Sequence, residues 1–198
     1  MIEVKQQEVQ ELDTLKMELS EVYNNKNINQ NPQDYFQILT SKQSQVNKFD
    51  ELIIRSKKTL FSFNKKPYAT GFMRDMEEIK RASAPLGEIL SKGTSVKAIF
   101  ETELEHVGPF VRMLRYYISI GEQVRICDQL PLKMLLSDGE VVMLSLRNND
   151  ASKFKLTSMV VEHSDLTNAM ADLFDKYWVL SMDLEAFLQK YDLKESDL

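Results

Sequence analysis

Residues 130–146 read LPLKMLLSDGEVVMLSL. Two apolar runs flank Asp138-Gly139, and Asp-Gly between β-prone runs predicts a hairpin, because a type I′ turn needs positive φ at both central positions. Downstream, TSMVVEH at 157–163 predicts a last strand, with Ser164 as N-cap of a helix reaching about residue 179. MDLEAFLQKY at 182–191 continues as a further helix, and the tail KESDL is expected to fray. Upstream, QVRIC at 123–127 and TSVKAIF at 94–100 predict strands. Between them lies GPFVRMLRYYISIG at 108–121, a helix with Pro109 in its first turn and Gly121 beyond its end. The stretch 72–93 has Met76, Ile79, Leu86 and Ile89 at helical spacing; Pro85 should bend or split it and Gly93 should cap it. TLFSF at 59–63 predicts a strand, preceded by a helix over 34–57 with Leu39, Val46, Phe49 and Ile53 on one face. Strands alternating with helices define an α/β sandwich. The hairpin makes its sheet mixed, with antiparallel members beside parallel ones.

Residues 2–23 contain no Gly or Pro, and Leu12, Leu15, Leu19 and Val22 follow one another at spacings of three, four and three, a heptad seam. Carried backwards, the seam meets Lys5 and Glu8, so it holds only two good heptads. A helix this short is marginal alone in water. It calls for a partner, either its own domain or a second copy of the chain. NNKNINQNPQD at 24–34 is polar and broken by Pro32. The expected division is an N-terminal dimerisation helix over 1–27, a linker over 28–33 and one domain over 34–198.

Composition narrows the class. The chain has 198 residues, 43% hydrophobic and 28% charged, with a formal net charge of −5. That balance suits a soluble protein and argues against a free-standing basic nucleic-acid binder. The lone cysteine, Cys127, excludes a disulfide framework and fits a reducing cytoplasm. No apolar run approaches the roughly 20 residues that span a bilayer. The start, MIEVKQQEVQELD, is too charged for the apolar core of a signal peptide. No membrane association is expected.

The hairpin also bears on chemistry. Phospholipase D-type phosphodiesterases place His-x-Lys-x-x-x-x-Asp on such a strand. Residues two apart on a strand share a face, so His and Lys at that spacing reach one phosphate: the imidazole attacks phosphorus while the ammonium neutralises the oxygens. Here Lys133 and Asp138 keep the spacing, but Pro131 stands at the nucleophile position. Proline can neither attack phosphorus nor shuttle a proton, so this motif reads as degenerate and no catalytic residue is expected. The hairpin alone also accounts for the residues that remain. Asp suits the turn, and Lys on an edge strand discourages edge-to-edge pairing. The two histidines, His106 and His163, lie outside the strand. His106 sits beside Glu103 and Glu105 just before a helix and reads as a surface residue; His163 reads as structural or as the wall of a ligand pocket. One Cys and no paired His spacing predict no metal site. No Gly-rich phosphate loop, nucleophile elbow or dinucleotide fingerprint appears, so no cofactor is expected.

Over roughly residues 34–180 the sequence resembles the TrmB-type family of transcriptional regulators. QVNKFDELIIRSKKTLFSF resembles that family's helix leading into its first strand, and GTSVKAIF its second strand, with GEQVRIC next. LPLKMLLSDGEVVMLSL resembles the degenerate phospholipase D-like hairpin. TSMVVEHSDLTNAMADLFDKYW resembles the closing strand and helix. The resemblance implies a phospholipase D-like mixed sheet flanked by helices, preceded by a coiled-coil-type helix. It implies a homodimer, paired through Leu12, Leu15, Leu19 and Val22. It further implies an effector, such as a sugar or another small polar or anionic molecule, held near Lys133 and His163. The family binds DNA through an N-terminal winged helix–turn–helix, which residues 1–27 do not provide. This chain is therefore expected to be a fragment of a longer regulator or a relative without the DNA-reading head. The C-terminal domain that completes sugar binding in the maltose-type members is also missing from the pattern. The expected function is effector sensing and dimerisation without catalysis. A stand-alone interaction module is the alternative, and an active phosphodiesterase is disfavoured by Pro131.

Overall fold

The computed structural model describes residues 35–66, 75–147 and 156–194. The chain divides into two units, Met1–Tyr35 and Phe36–Leu198, and the second carries the sheet. The heptad positions Leu12, Leu15, Leu19 and Val22 and the expected linker lie outside the described residues.

The elements follow in order as β1 (Phe36–Leu39), α1 (Lys42–Arg55), β2 (Thr59–Asn64), α2 (Met76–Ala82), α3 (Ala84–Ser91), β3 (Ser95–Glu101) and α4 (Val107–Ser119). Then come β4 (Gln123–Cys127), β5 (Lys133–Ser137), β6 (Val141–Arg147), β7 (Leu156–Val161), α5 (Ser164–Leu180) and α6 (Leu184–Lys190). Seven strands form one sheet in the order β1-β7-β6-β5-β2-β3-β4. β2, β3 and β4 are parallel, and every other pairing is antiparallel. The mixed sheet is the one the hairpin implied, with β5–β6 as its centre.

That hairpin closes as its sequence dictates. Asp138 and Gly139 have φ of 54° and 70°. The Glu140 N–H donates to the Ser137 carbonyl at 2.9 Å across them. Gly93 and Gly121 also take positive φ, 90° and 103°, each just past the end of a helix. The 72–93 stretch does split, at Ser83, with Pro85 in the first turn of α3.

Two expectations are corrected. The stretch 34–57 is not one helix: Phe36–Leu39 forms β1, paired antiparallel with β7, and the helix begins only at Lys42. Phe36-Gln37-Ile38-Leu39 is aromatic and β-branched, and Ser41 caps α1 by accepting the Ser44 N–H at 3.1 Å, a boundary that the helical period of Leu39 and Val46 conceals. At the other end, the cap of α5 is His163 rather than Ser164. Its Nδ1 accepts the Asp165 N–H at 3.2 Å.

The sheet is buried on both faces. On one, Phe61, Phe63, Met134, Leu136, Val142 and Leu144 pack beneath α5 through Phe174. On the other, Leu60, Val96, Leu135 and Met143 pack beneath α1 and α3, while Ala98, Phe100, Val124 and Ile126 meet α2, α4 and Phe187 of α6. Strand alternation sorts the two sets.

Candidate functional site

β5 runs antiparallel to β2, with Phe63 opposite Met134. Continuing that register by one residue sets Lys133 beside Asn64, at the carboxyl end of the parallel strands. Ligands of α/β sheets gather at this edge. On its other side Lys133 pairs with Ser145. The alternation that buries Leu60 and Leu135 on the α1 face also sends Ser62, Asn64, Lys133 and Ser145 to that face.

Packing on this side is incomplete. A cavity of about 160 Å³ lies between the sheet and the helices α1, α3 and α4. Its walls are mostly apolar: Val46, Phe49, Ile53, Leu86, Val96, Phe100, Met113, Leu135 and Met143 among others. Set into them are Gln45, Asp50, Ser62, Asn64, Tyr117, Glu122, Lys133 and Ser145. Several of these polar groups hold the wall together. The Gln45 amide donates to the carbonyls of Leu39 at 3.1 Å and Leu156 at 2.6 Å, tying α1 to the adjacent strands β1 and β7. Asn64 donates to Ser62 Oγ at 2.8 Å, and Ser145 shares a hydrogen bond with Ser158 at 2.8 Å.

Four groups are electrostatically displaced. Burial pushes the Lys133 ammonium down to about 8. Glu122, the residue before β4, is pushed up to about 8 by burial. Its Oε2 is buried with no hydrogen-bond partner. Tyr117 is raised above the usual phenol range, first by burial and then by the charge of Glu122. Asp50 is also raised by burial. Sequence reasoning placed Lys133 near a cleft but missed Glu122 and Tyr117. The signal for Glu122 was present: in EQVRIC, Glu122 shares its side of the strand with the buried Val124 and Ile126.

Asp138 belongs elsewhere. Its carboxylate accepts the backbone N–H groups of Lys57 at 3.0 Å, Lys58 at 2.7 Å and Thr59 at 2.9 Å. Its own N–H donates back to the Thr59 carbonyl at 2.8 Å. Burial works to raise this carboxyl, but the three amides outweigh it and hold it below its ordinary range. Asp138 thus fastens the hairpin to the link between α1 and β2, and it does not line the cavity that Lys133 enters.

Pro131 is exposed just before β5. Neither histidine lines the cavity. His163 caps α5, and His106 precedes α4, with its N–H donating to Glu103 Oε1 at 3.1 Å. Among the described residues, Glu103, Glu105 and His106 bring one donor atom each to within 4.8 Å of one another, the one such grouping suited to a cation. Lys66 already forms ion pairs with both carboxylates. Burial alone would raise Glu103, yet the bonds from Lys66 and the His106 amide hold it low.

This arrangement of strands, hairpin and helices is a phospholipase D-like fold. Nuc, a phospholipase D family member from Salmonella typhimurium, superposes with a TM-score of 0.54 at 14% identity, covering 75% of this chain and 96% of that one. NucT from Helicobacter pylori gives 0.55 at 13% identity, covering 75% and 98%. TrmBL2, an archaeal chromatin protein described as showing a novel mode of DNA binding, gives 0.59 at 15% identity over 92% of this chain. This chain spans 66% of the length of TrmBL2. No family model matches the sequence, and no curated protein matches it in sequence. Among the described residues, no helix is long and apolar enough to cross a membrane.

Proposed function

We propose that this chain is a non-catalytic phospholipase D-like module, the effector-sensing and dimerisation part of a TrmB-like transcriptional regulator. The observation that carries the reading is the fate of the inherited motif. Lys133 projects into a largely apolar cavity, Asp138 is committed to three backbone amides, and Pro131 supplies no nucleophile. What remains of the phosphate site is a concave pocket with a few convergent polar groups, the usual form of a small-molecule site. The likeness to TrmBL2 extends over more of this chain than the likeness to Nuc and NucT, which supports the regulatory side of the reading. In this scheme DNA is contacted only through a winged helix–turn–helix outside this sequence. Ligand occupancy alters how two sensor units pair, a coupling between two sites through the dimer.

Two measurements test it. Bis(p-nitrophenyl) phosphate should stay intact in the presence of the protein; turnover lost on Lys133→Ala would show a working phosphodiesterase and sink the proposal. Light scattering should find a dimer that Leu15→Asp/Leu19→Asp converts to monomer. An unchanged mass would remove the heptad from the interface.

A further inference from the structure

Resting on the sensor reading above, we infer that the cavity takes a small amphipathic amine, with its ammonium seated on Glu122 among aromatic rings and its apolar body against the sheet. Three observations converge. First, the cavity has a defined size, about 160 Å³. An apolar cavity of about 150 Å³ holds one benzene, so the fitting body has on the order of six to ten heavy atoms. Second, the Glu122 residue is 7% exposed and its Oε2 has no partner. A buried acceptor without a donor is rare, because desolvation goes uncompensated. Third, Phe49, Phe100 and Tyr117 line the same space, and Tyr117 stacks on Phe100 with ring centroids 5.9 Å apart. Aromatic faces beside a carboxylate favour a cation, through the ring quadrupole and the charge together.

The competing head groups fit less well. A hydroxyl could donate to Glu122, but only an amine can also take the proton that burial keeps on this carboxyl and then pair with the charge so formed. An anion would meet Lys133 yet share the cavity with Glu122 and Asp50, both acidic. Lys133 lies three strands from Glu122 in the order β5-β2-β3-β4, where its ammonium would favour an acceptor at the far end of a longer amine.

An isosteric series tests the class: cyclohexylmethylamine, cyclohexylmethanol and cyclohexanecarboxylate, each titrated into the intact chain by calorimetry and thermal shift at neutral pH. A ligand that binds only the native state raises the melting temperature. The amine should bind at least about tenfold more tightly than the alcohol, a difference of one decade in Kd, and the carboxylate should not bind. Glu122→Gln, which keeps the shape of the side chain, should abolish the preference for the amine while leaving alcohol binding in place. Retained alcohol binding also certifies that the variant is folded. Equal affinity for amine and alcohol, or an amine preference that survives Glu122→Gln, would overturn the assignment. Binding of the carboxylate alone, lost on Lys133→Met, would overturn the amine while leaving the sensor reading intact. Phosphodiester turnover would instead remove the sensor reading itself.

Discussion

The same seven strands present two faces, and the protein has finished only one of them. Beneath α5 the sheet is packed with rings: Phe174 stacks on Phe61 at 4.7 Å, on Phe63 at 5.5 Å and on Trp178 at 5.7 Å. Lys97 and Arg125 sit over the Trp178 ring at 5.3 Å and 4.9 Å, their charges held over its face. Beneath α1, α3 and α4 a cavity of about 160 Å³ persists, and the ionisable residues Asp50, Tyr117, Glu122 and Lys133 are among those that line it. Cavities and unsatisfied polar atoms both cost stability. A face that retains them while its opposite is densely packed has been shaped by something other than folding. The contrast teaches where to look for function: on the face where packing loses.

The packed face should therefore yield the largest loss on truncation. Phe174 is fully buried and touches rings on two sides. Phe174→Ala is expected to cost about 3–5 kcal/mol in urea denaturation. A cost below about 1 kcal/mol would mean that the ring stack is loose and that the two faces do not differ as described.

Asp138→Ala should come next, at roughly 1.5–3 kcal/mol, the range of a hydrogen bond to a charged group. Three amides lose their acceptor and a non-glycine residue is left at a φ of 54°. Lys133→Met, on the strand leading into that turn, keeps a long side chain against the cavity's apolar wall and should cost less than Asp138→Ala. If the two variants behaved alike, the separation of the motif's aspartate from its lysine would be wrong.

Much of this was legible in the residues. The Asp-Gly turn fixed the hairpin, and glycines past two helix ends marked their stops, because positive φ is a demand few residues meet. What was not legible had physical causes. β1 was hidden because Leu39 fits a helical stripe as well as a strand, and its partner β7 lies more than a hundred residues away. The job of Asp138 was hidden because its partners are backbone amides of another segment, which no motif records. Glu122 was overlooked because a single acidic residue ahead of a strand reads as surface unless the period-two pattern is followed one place further.

The ionisable groups of the unfinished face predict a pH signature. From 4.5 to about 8 the folded Glu122 keeps a proton that the unfolded chain releases, so stability should fall as pH rises through that window. The slope for a single group is at most about 1.4 kcal/mol per pH unit. From about 8 to 10.5 the unfolded chain holds a proton that folded Lys133 has lost, so this contribution rises with pH. Subtracting the urea stability of Glu122→Gln from that of the parent should expose the first trend, and Lys133→Met the second. Flat difference curves would mean that water reaches the cavity freely and that both groups titrate as exposed ones do.

The smallest effect is expected where the packed face runs out. Phe36 and Ile38 lie on β1 at the sheet's edge, 50% and 67% exposed, opposite Val161 and Met159 and on the same face as Leu146. Ile38→Thr keeps the β-branched shape that the strand prefers and removes little buried area. A change within about 0.5 kcal/mol is expected, as at other surface positions. The measurement is most informative at two protein concentrations. A loss above about 1.5 kcal/mol that grows with concentration would show that this strip is covered in solution by another chain, and the packed face would then extend across an interface instead of ending at β1.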